Sequence, residues 1–243
     1  MEVYRREYRV SISDADPRKE LRLASLFRLF QEGATAHADL LGVGTGATLD
    51  RGILWVVTAQ RAHITRMPRY EEDVILTTWP GEPTHAFFPR HYLLRTPSGE
   101  TLVRACALWV LMDGTTRKML LPKEGAVSLT GLTTGEESSL PTSPKMGTFT
   151  GESAFTVPYS YLDVNGHMNN VRYFDLAEDI LPAEFRTRPL REVTIKYGGE
   201  ARLGETLDLR TGREEDSFFL SGETGGKRVF RLRVEYGPRG SNE

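Results

Sequence analysis

The chain has 243 residues, 31 basic against 33 acidic, with 39% hydrophobic and 26% charged content. This near-neutral balance gives no global drive toward nucleic acid or an anionic membrane. No run approaches the roughly 18 apolar residues of a membrane helix, and the N-terminus, Met1-Glu-Val-Tyr-Arg-Arg-Glu, lacks the apolar core of a signal peptide. The single cysteine, Cys106, excludes an internal disulfide and a multi-cysteine zinc site. A soluble, cytoplasmic protein is expected, with one large domain or two of about 120 residues.

Residues 3–13 alternate apolar and polar late in the run, which predicts a half-buried strand. Asp14-Ala-Asp16-Pro17 supplies an N-cap residue and a first-turn proline. Leu23, Leu26, Phe27, Phe30, Ala34, Ala38 and Leu41 then recur every three or four positions. That spacing predicts a helix of about 24 residues with one apolar face, ending at Gly42-Val-Gly44. Gly42-x-Gly44-x-Gly46 has no helix pattern after it and reads as a helix stop and loop, not a nucleotide fingerprint. Four strands follow, at 53–64, 73–79, 86–95 and 102–111, punctuated by Pro68, Pro80-Gly81 and Pro97-Ser-Gly99. The last is a continuous apolar run and reads as central.

Residues 121–153 carry turn formers such as Pro122, Gly125, Gly131, Gly135, Pro141 and Pro144, and few large apolar groups. They predict a surface linker between a first domain, 1–120, and a second, 154–243. The opening pattern then begins again. A short strand at 155–161 leads through a polar segment to a helix with Val171, Phe174, Ala177 and Leu181 on one face, ended by Pro182; strands follow at 192–197, 206–210, 217–221 and 228–236.

This is an internal repeat. With Asp16 set against Asp163, an offset of 147 (163 − 16), Val10 meets Val157, Phe27 meets Phe174 and Leu29 meets Leu176. The halves differ in chemistry, since Arg18 opposes Asn165, Glu20 opposes His167 and Arg22 opposes Asn169. The first half keeps the architecture and lacks the polar set, so one half is expected to shape a pocket while the other carries chemistry.

The polar segment is Asp163-Val-Asn165-Gly-His167-Met-Asn169-Asn170. Asn and Asp accept bonds from the free amides of a helix's first turn, and groups there sit near the positive end of the helix dipole. Such a place suits a developing negative charge. Taken singly, Asp163, Asn165 and Asn169 read as turn and cap, and His167 as a structural histidine. Their coincidence in one half only, beside a repeat that lacks them, favours the functional reading. Asn170 and Tyr173 read as supports of the motif.

Two tandem units of a helix wrapped by an antiparallel sheet resemble a double hotdog, an α+β fold. Asp163-x-Asn165-x-His167-x-Asn169-Asn170-x-x-Tyr173 resembles the signature of the acyl-acyl-carrier-protein (acyl-ACP) thioesterases of plants and bacteria, and Ile195-Lys-Tyr197-Gly-Gly-Glu200-Ala201 resembles the family's short block that contributes a glutamate. The resemblance implies Asp163, Asn165 and His167 as the catalytic trio and Glu200 as the catalytic glutamate. Plant members often carry a cysteine directly after that glutamate; here the residue is Ala201, which argues against a thiol mechanism. The resemblance also implies a fatty acyl-ACP substrate and no metal or organic cofactor. The carrier protein is then the partner, with no nucleic acid or membrane, and the chain is a pseudo-dimeric monomer or a homodimer. The start of the chain directly at its first strand suggests a bacterial member. The acyl chain is expected in the first half and the groove between domains, with the catalytic residues in the second half.

Thioester hydrolysis needs an activated nucleophile, a stabilised oxyanion and a proton for the leaving thiolate. Glu200 and Asp163 are assigned to activating water or attacking the carbonyl, His167 to moving the proton, and Asn165 to holding the carboxylate or substrate. Backbone amides near Asn169 are the expected oxyanion donors. Two competitors stay open: a hotdog thioesterase preferring acyl-CoA, and a non-hydrolytic hotdog, either a dehydratase or an acyl-binding module. His63, His85 and His91 lack metal-ligand spacing and read as structural or exposed. Trp55, Trp79 and Trp109 read as core or acyl-pocket residues. Arg186, Arg188 and Arg191 form a basic cluster that fits either an acidic carrier or solvent.

Overall fold

The computed structural model describes residues 3–238. The reading made on Met1 and Glu2 and the outer ends of both expected domains lie outside the described residues. The chain divides into two compact units, residues 1–141 and 142–243.

In the first unit the sheet is built from β1 (Tyr4–Arg9), β2 (Ile53–Ile64), β3 (Asp73–Pro80), β4 (Phe88–Arg95) and β5 (Thr101–Asp113) in the order β1-β3-β4-β5-β2, all antiparallel; the two-residue β6 (Met119–Leu120) adds to β5. Helix α1 (Leu23–Leu40) lies against β3. Its Leu23, Leu26, Phe27, Phe30 and Ala34, read from their spacing, are all buried. Gly33 permits the close approach, since a Cβ there would lie 2.7 Å from Leu76 Cδ2. Phe30 stacks on Tyr92 with ring centroids 4.7 Å apart, and Trp79 is fully buried beside them in the core. Each such aromatic or aliphatic side chain contributes roughly 1.5–3 kcal/mol by leaving water.

The second unit has the same topology, with β7 (Gly151–Thr156), β8 (Leu190–Tyr197), β9 (Thr206–Glu214), β10 (Ser217–Thr224) and β11 (Lys227–Tyr236) in the order β7-β9-β10-β11-β8. Its helix after the polar segment is α3 (Arg172–Asp179), followed by the short α4 (Ala183–Arg186). Tyr173, Phe174, Leu176 and Ala177 are its buried face.

Several boundaries differ from the sequence reading. Helix α1 has 18 residues, not about 24, because 16–20 form a turn and its N-cap position is Arg22, with no side-chain cap. Asp16 is therefore no helix cap, and Asp163 stands farther still from α3, nine residues before it (172 − 163). The glycines after α1 do lead into a helix, the five-residue α2 (Thr45–Leu49). Strand β7 ends at Thr156, and Tyr159–Tyr161 is a single 3-10 turn after Pro158, whose missing N–H suits that break. Residues 121–150 hold no helix or strand, but their first part is packed. Val127 is buried against Ile53, Phe88 and Leu111, and the Leu132 amide donates to the Pro80 carbonyl at 2.9 Å.

Candidate active site

The two units repeat one turn bond for bond. In the first, the Asp16 amide donates to Glu20 O (2.7 Å), Lys19 N to Asp16 O (2.9 Å) and Arg18 N to Asp16 Oδ1 (2.8 Å). In the second, Asp163 N donates to His167 O (2.9 Å), Gly166 N to Asp163 O (3.0 Å) and Asn165 N to Asp163 Oδ1 (2.8 Å). The left-handed position is Lys19 (φ 62°) in one and Gly166 (φ 75°) in the other. Short-chain Asp heads both turns because its carboxylate bonds the amide two residues on.

The segment after the second hairpin edge docks on each turn in the same way. Leu21 N donates to Pro68 O and Met168 N to Ala201 O, both at 2.8 Å; Glu20 pairs with Arg69, and His167 with Arg202, as isolated bridges. The local offset here is 133 (202 − 69), so the position of Glu200 is occupied by buried Met67 in the first unit. This docking delivers Glu200 to the turn. His167 Nε2 lies 3.1 Å from Glu200 Oε2, with the imidazole largely shielded (17% exposed) and the carboxylate more open (35%).

The structure thus brings His167 and Glu200 side chain to side chain. Asp163 joins them through the backbone of the turn, while its Oδ1 is engaged by the Asn165 amide. Asn165 sits on the exposed outer tip of the turn, beside the fully exposed Val164. The turn reading of Asp163 is therefore realised, with its carboxylate heading the turn that presents His167.

At the start of α3, Asn169 Oδ1 accepts the Val171 amide (3.0 Å), Asn169 N donates to Tyr161 O (2.9 Å) and Arg172 N to Asn169 O (2.9 Å). Among the described residues the Asn170 amide, next to Asn169, has no acceptor. Tyr197 Oη–H donates to Asn170 O at 2.8 Å and fixes that peptide. Tyr173 is buried between Tyr197 and Phe230, with centroids at 5.5 and 4.7 Å. Burial, and then the charges of Asp163 and Glu205, push its hydroxyl well above the ordinary tyrosine range, so it stays neutral and packs the floor beneath Asp163.

Other residues fall out of the site. Cys106 is buried in β5 and burial pushes its thiol up to about 12, which removes it as a nucleophile. Ala201 is also fully buried. Arg188, part of the expected basic cluster, is spent internally on the Gly237 and Glu215 carbonyls and Asp216. His91 is buried, and His85 is exposed at a left-handed position (φ 55°).

The first unit contains an apolar cavity of about 60 Å³ lined by Ala34, Ala38, Trp55, Phe88, Trp109 and, less expectedly, Arg90. Trp55 and Trp109 are thus pocket residues and Trp79 is core. Arg90 and His37 were missed in the sequence. The available signal was an arginine inside the apolar run Phe87-Phe88-Pro89-Arg90-His91-Tyr92-Leu93-Leu94, which β4 buries on both faces.

Family models match both parts of the chain: the acyl-ACP thioesterase N-terminal domain over residues 1–124 and the acyl-ACP thioesterase C-terminal domain over residues 147–230. Among curated proteins, a chloroplastic acyl-[acyl-carrier-protein] hydrolase of Cuphea viscosissima is 28% identical over 79% of this chain and 50% of its own length. A chloroplastic dodecanoyl-[acyl-carrier-protein] hydrolase of Cinnamomum camphora is 26% identical over 98% of this chain and 68% of its own. The chain spans between half and about two thirds of the length of these relatives. Among solved structures, an acyl-ACP thioesterase from Bacteroides thetaiotaomicron superposes with a TM-score of 0.82 at 21% identity, covering 97% of this chain and 98% of that one. The 12:0-ACP thioesterase from Umbellularia californica does so with 0.82 at 24%, covering 98% of each. Both share the fold, a hotdog-type sheet and helix in each unit. With both family models matched along its length, this chain belongs to the acyl-ACP thioesterase family.

Proposed function

We propose that the chain hydrolyses fatty acyl-ACP to a free fatty acid and the carrier thiol, as a step in fatty acid biosynthesis. The observation that carries this reading is the His167–Glu200 pair at 3.1 Å, held by a turn whose copy in the first unit has Glu20 and Met67 instead. A carboxylate accepting the imidazole N–H orients the ring and raises its basicity. The pair, with Asp163 beside it, takes a proton from water as the water oxygen adds to the thioester carbonyl carbon. The Asn170 amide then faces the developing oxyanion. The C–S bond breaks as the carbonyl re-forms, and His167 returns the proton to the thiolate. Asn165, at the open tip of the turn, contacts the substrate near its head.

The reading includes a homodimer or pseudo-dimeric monomer in a bacterial cytoplasm; no helix among the described residues is long and apolar enough to cross a membrane. The decisive experiment is a steady-state assay of the purified chain on matched acyl-ACP and acyl-CoA substrates of graded length, following release of free thiol. We expect kcat/KM for acyl-ACP to exceed that for acyl-CoA at least about tenfold, or about 1.4 kcal/mol of transition-state binding. Equal or better turnover of acyl-CoA overturns the carrier assignment, and no hydrolysis of any thioester overturns the enzyme.

A further inference from the structure

The first unit holds a buried cation with no counter-ion. Arg90 is 6% exposed on β4. Its Nη1 lies 3.1 Å from His37 Nδ1 and 3.5 Å from Thr78 Oγ1. Among the described residues Nε and Nη2 meet no acceptor and no carboxylate pairs with the guanidinium. Several acids of this unit are engaged elsewhere: Asp14 and Glu32 with Arg28, Glu136 with Arg95, and Glu72 and Glu100 with Arg66. Burial lowers the Arg90 pKa, and no nearby acid offsets it. An unpaired charge in such a place is unfavourable until an anion joins it.

The same guanidinium lines the cavity formed by Ala34, Ala38, Trp55, Phe88 and Trp109. Its volume of about 60 Å³ would take roughly four to six waters. Apolar walls alone suit a hydrocarbon; a buried guanidinium with its Nε/Nη2 edge free suits a planar anion, which it grips with parallel N–H donors. Only a ligand with both features satisfies both.

We infer that this cavity is a binding site for a carboxylate carried on a short apolar chain, with Arg90 Nε and Nη2 as the carboxylate's donors. Two sources present that chemistry. One is the free fatty acid released by hydrolysis, and the other an acyl thioester with a carboxyl group at its far end. The choice of source rests on the proposed hydrolysis; the binding itself does not.

The test is a calorimetric titration of the full chain with octanoate and, as the uncharged match, octanol. Octanoate is expected to bind at least about tenfold more tightly than octanol, and Arg90→Met to abolish that preference. Ala38→Leu fills the cavity while keeping the charge, and is expected to weaken both ligands; it and the wild-type ratio decide the matter should Arg90→Met fail to fold. Octanoate binding no better than octanol, or binding indifferent to both variants, overturns the site. To separate the sources, octanoyl and 7-carboxyheptanoyl thioesters of the carrier protein are compared. A preference for the carboxylated chain that disappears in Arg90→Met assigns the site to substrate. Competitive inhibition by octanoate without that preference assigns it to product. Should no thioester be hydrolysed, the titration still returns its own answer.

Discussion

At the scale of single residues, the pair His167 and Glu200 carries the most chemical meaning, and its members were not equally legible. His167 stood out because it shared eight positions with an acid and three amides, and because its repeat partner is Glu20. Glu200, by contrast, looks like any exposed charge beyond a strand end; only its likeness to a family block raised it. What the sequence could not display is the pair of backbone bonds, Met168 N to Ala201 O and the His167–Arg202 bridge, that carries Glu200 to the imidazole. Arg90 escaped notice for the opposite reason, since a charge inside an apolar run is read as facing solvent until both faces of its strand are seen to be covered. Because Glu200 makes its bond to His167 from a partly open position, Glu200→Gln is expected to fold normally. Its kcat should fall by about 10²–10⁴ with KM little changed. Steady-state kinetics with circular dichroism as the folding control checks this; full activity removes Glu200 from the mechanism.

At the scale of elements, strand existence was legible from period-2 patterning and turn residues, while helix starts were not. Asp16 and Asp163 looked like caps, yet each heads a turn well before its helix, because their carboxylates bond amides two residues on rather than a helix's first turn. The apparent start of α1 was misplaced for that reason. What joins β1, that turn and α1 is Asp14, a buried carboxylate hydrogen-bonded by Ser11 Oγ, Tyr8 Oη and Arg28. Burial alone would raise its pKa, but the bonds from Ser11 and Tyr8 and the charge of Arg28 outweigh it, and the net value is lowered. In the second unit the corresponding residue is Tyr161, packed on Phe155 at 5.4 Å with Arg172 over its ring at 5.3 Å, so an ionic hub became an aromatic one. A folded pKa below the unfolded value of about 3.9 stabilises the protein above that pH, and the stabilisation is lost as pH falls through the folded value. Asp14→Asn is therefore expected to lower stability by about 1–3 kcal/mol at neutral pH. The gap from wild type should close as pH drops below about 4. Urea melts of both proteins across that range check it; a gap independent of pH would mean the carboxylate's charge is irrelevant.

At the scale of the molecule, the repeat is the argument. Both units share strand order, the Asp-headed turn and the docking of the following segment. They differ in a few side chains: Glu20 and Met67 stand where His167 and Glu200 do, and Arg18 where Asn165 does. A duplicated frame whose copies differ in these side chains allows a controlled comparison within one chain. Asp16→Asn and Asp163→Asn make the same chemical change in the same turn. Asn keeps the oxygen that accepts the amide two residues on, so each variant should stay within about 1 kcal/mol of wild-type stability. If Asp163 acts on the thioester, only its variant should lose turnover, by about 10²-fold or more, while Asp16→Asn stays within about twofold of wild type. Parallel thermal melts and kcat measurements on acyl-ACP decide the outcome. Equal losses in both variants would mean that the aspartate serves the turn alone and that the reaction rests on His167 and Glu200. A loss at Asp163 only would mean that one geometry serves structure in the first unit and both structure and chemistry in the second.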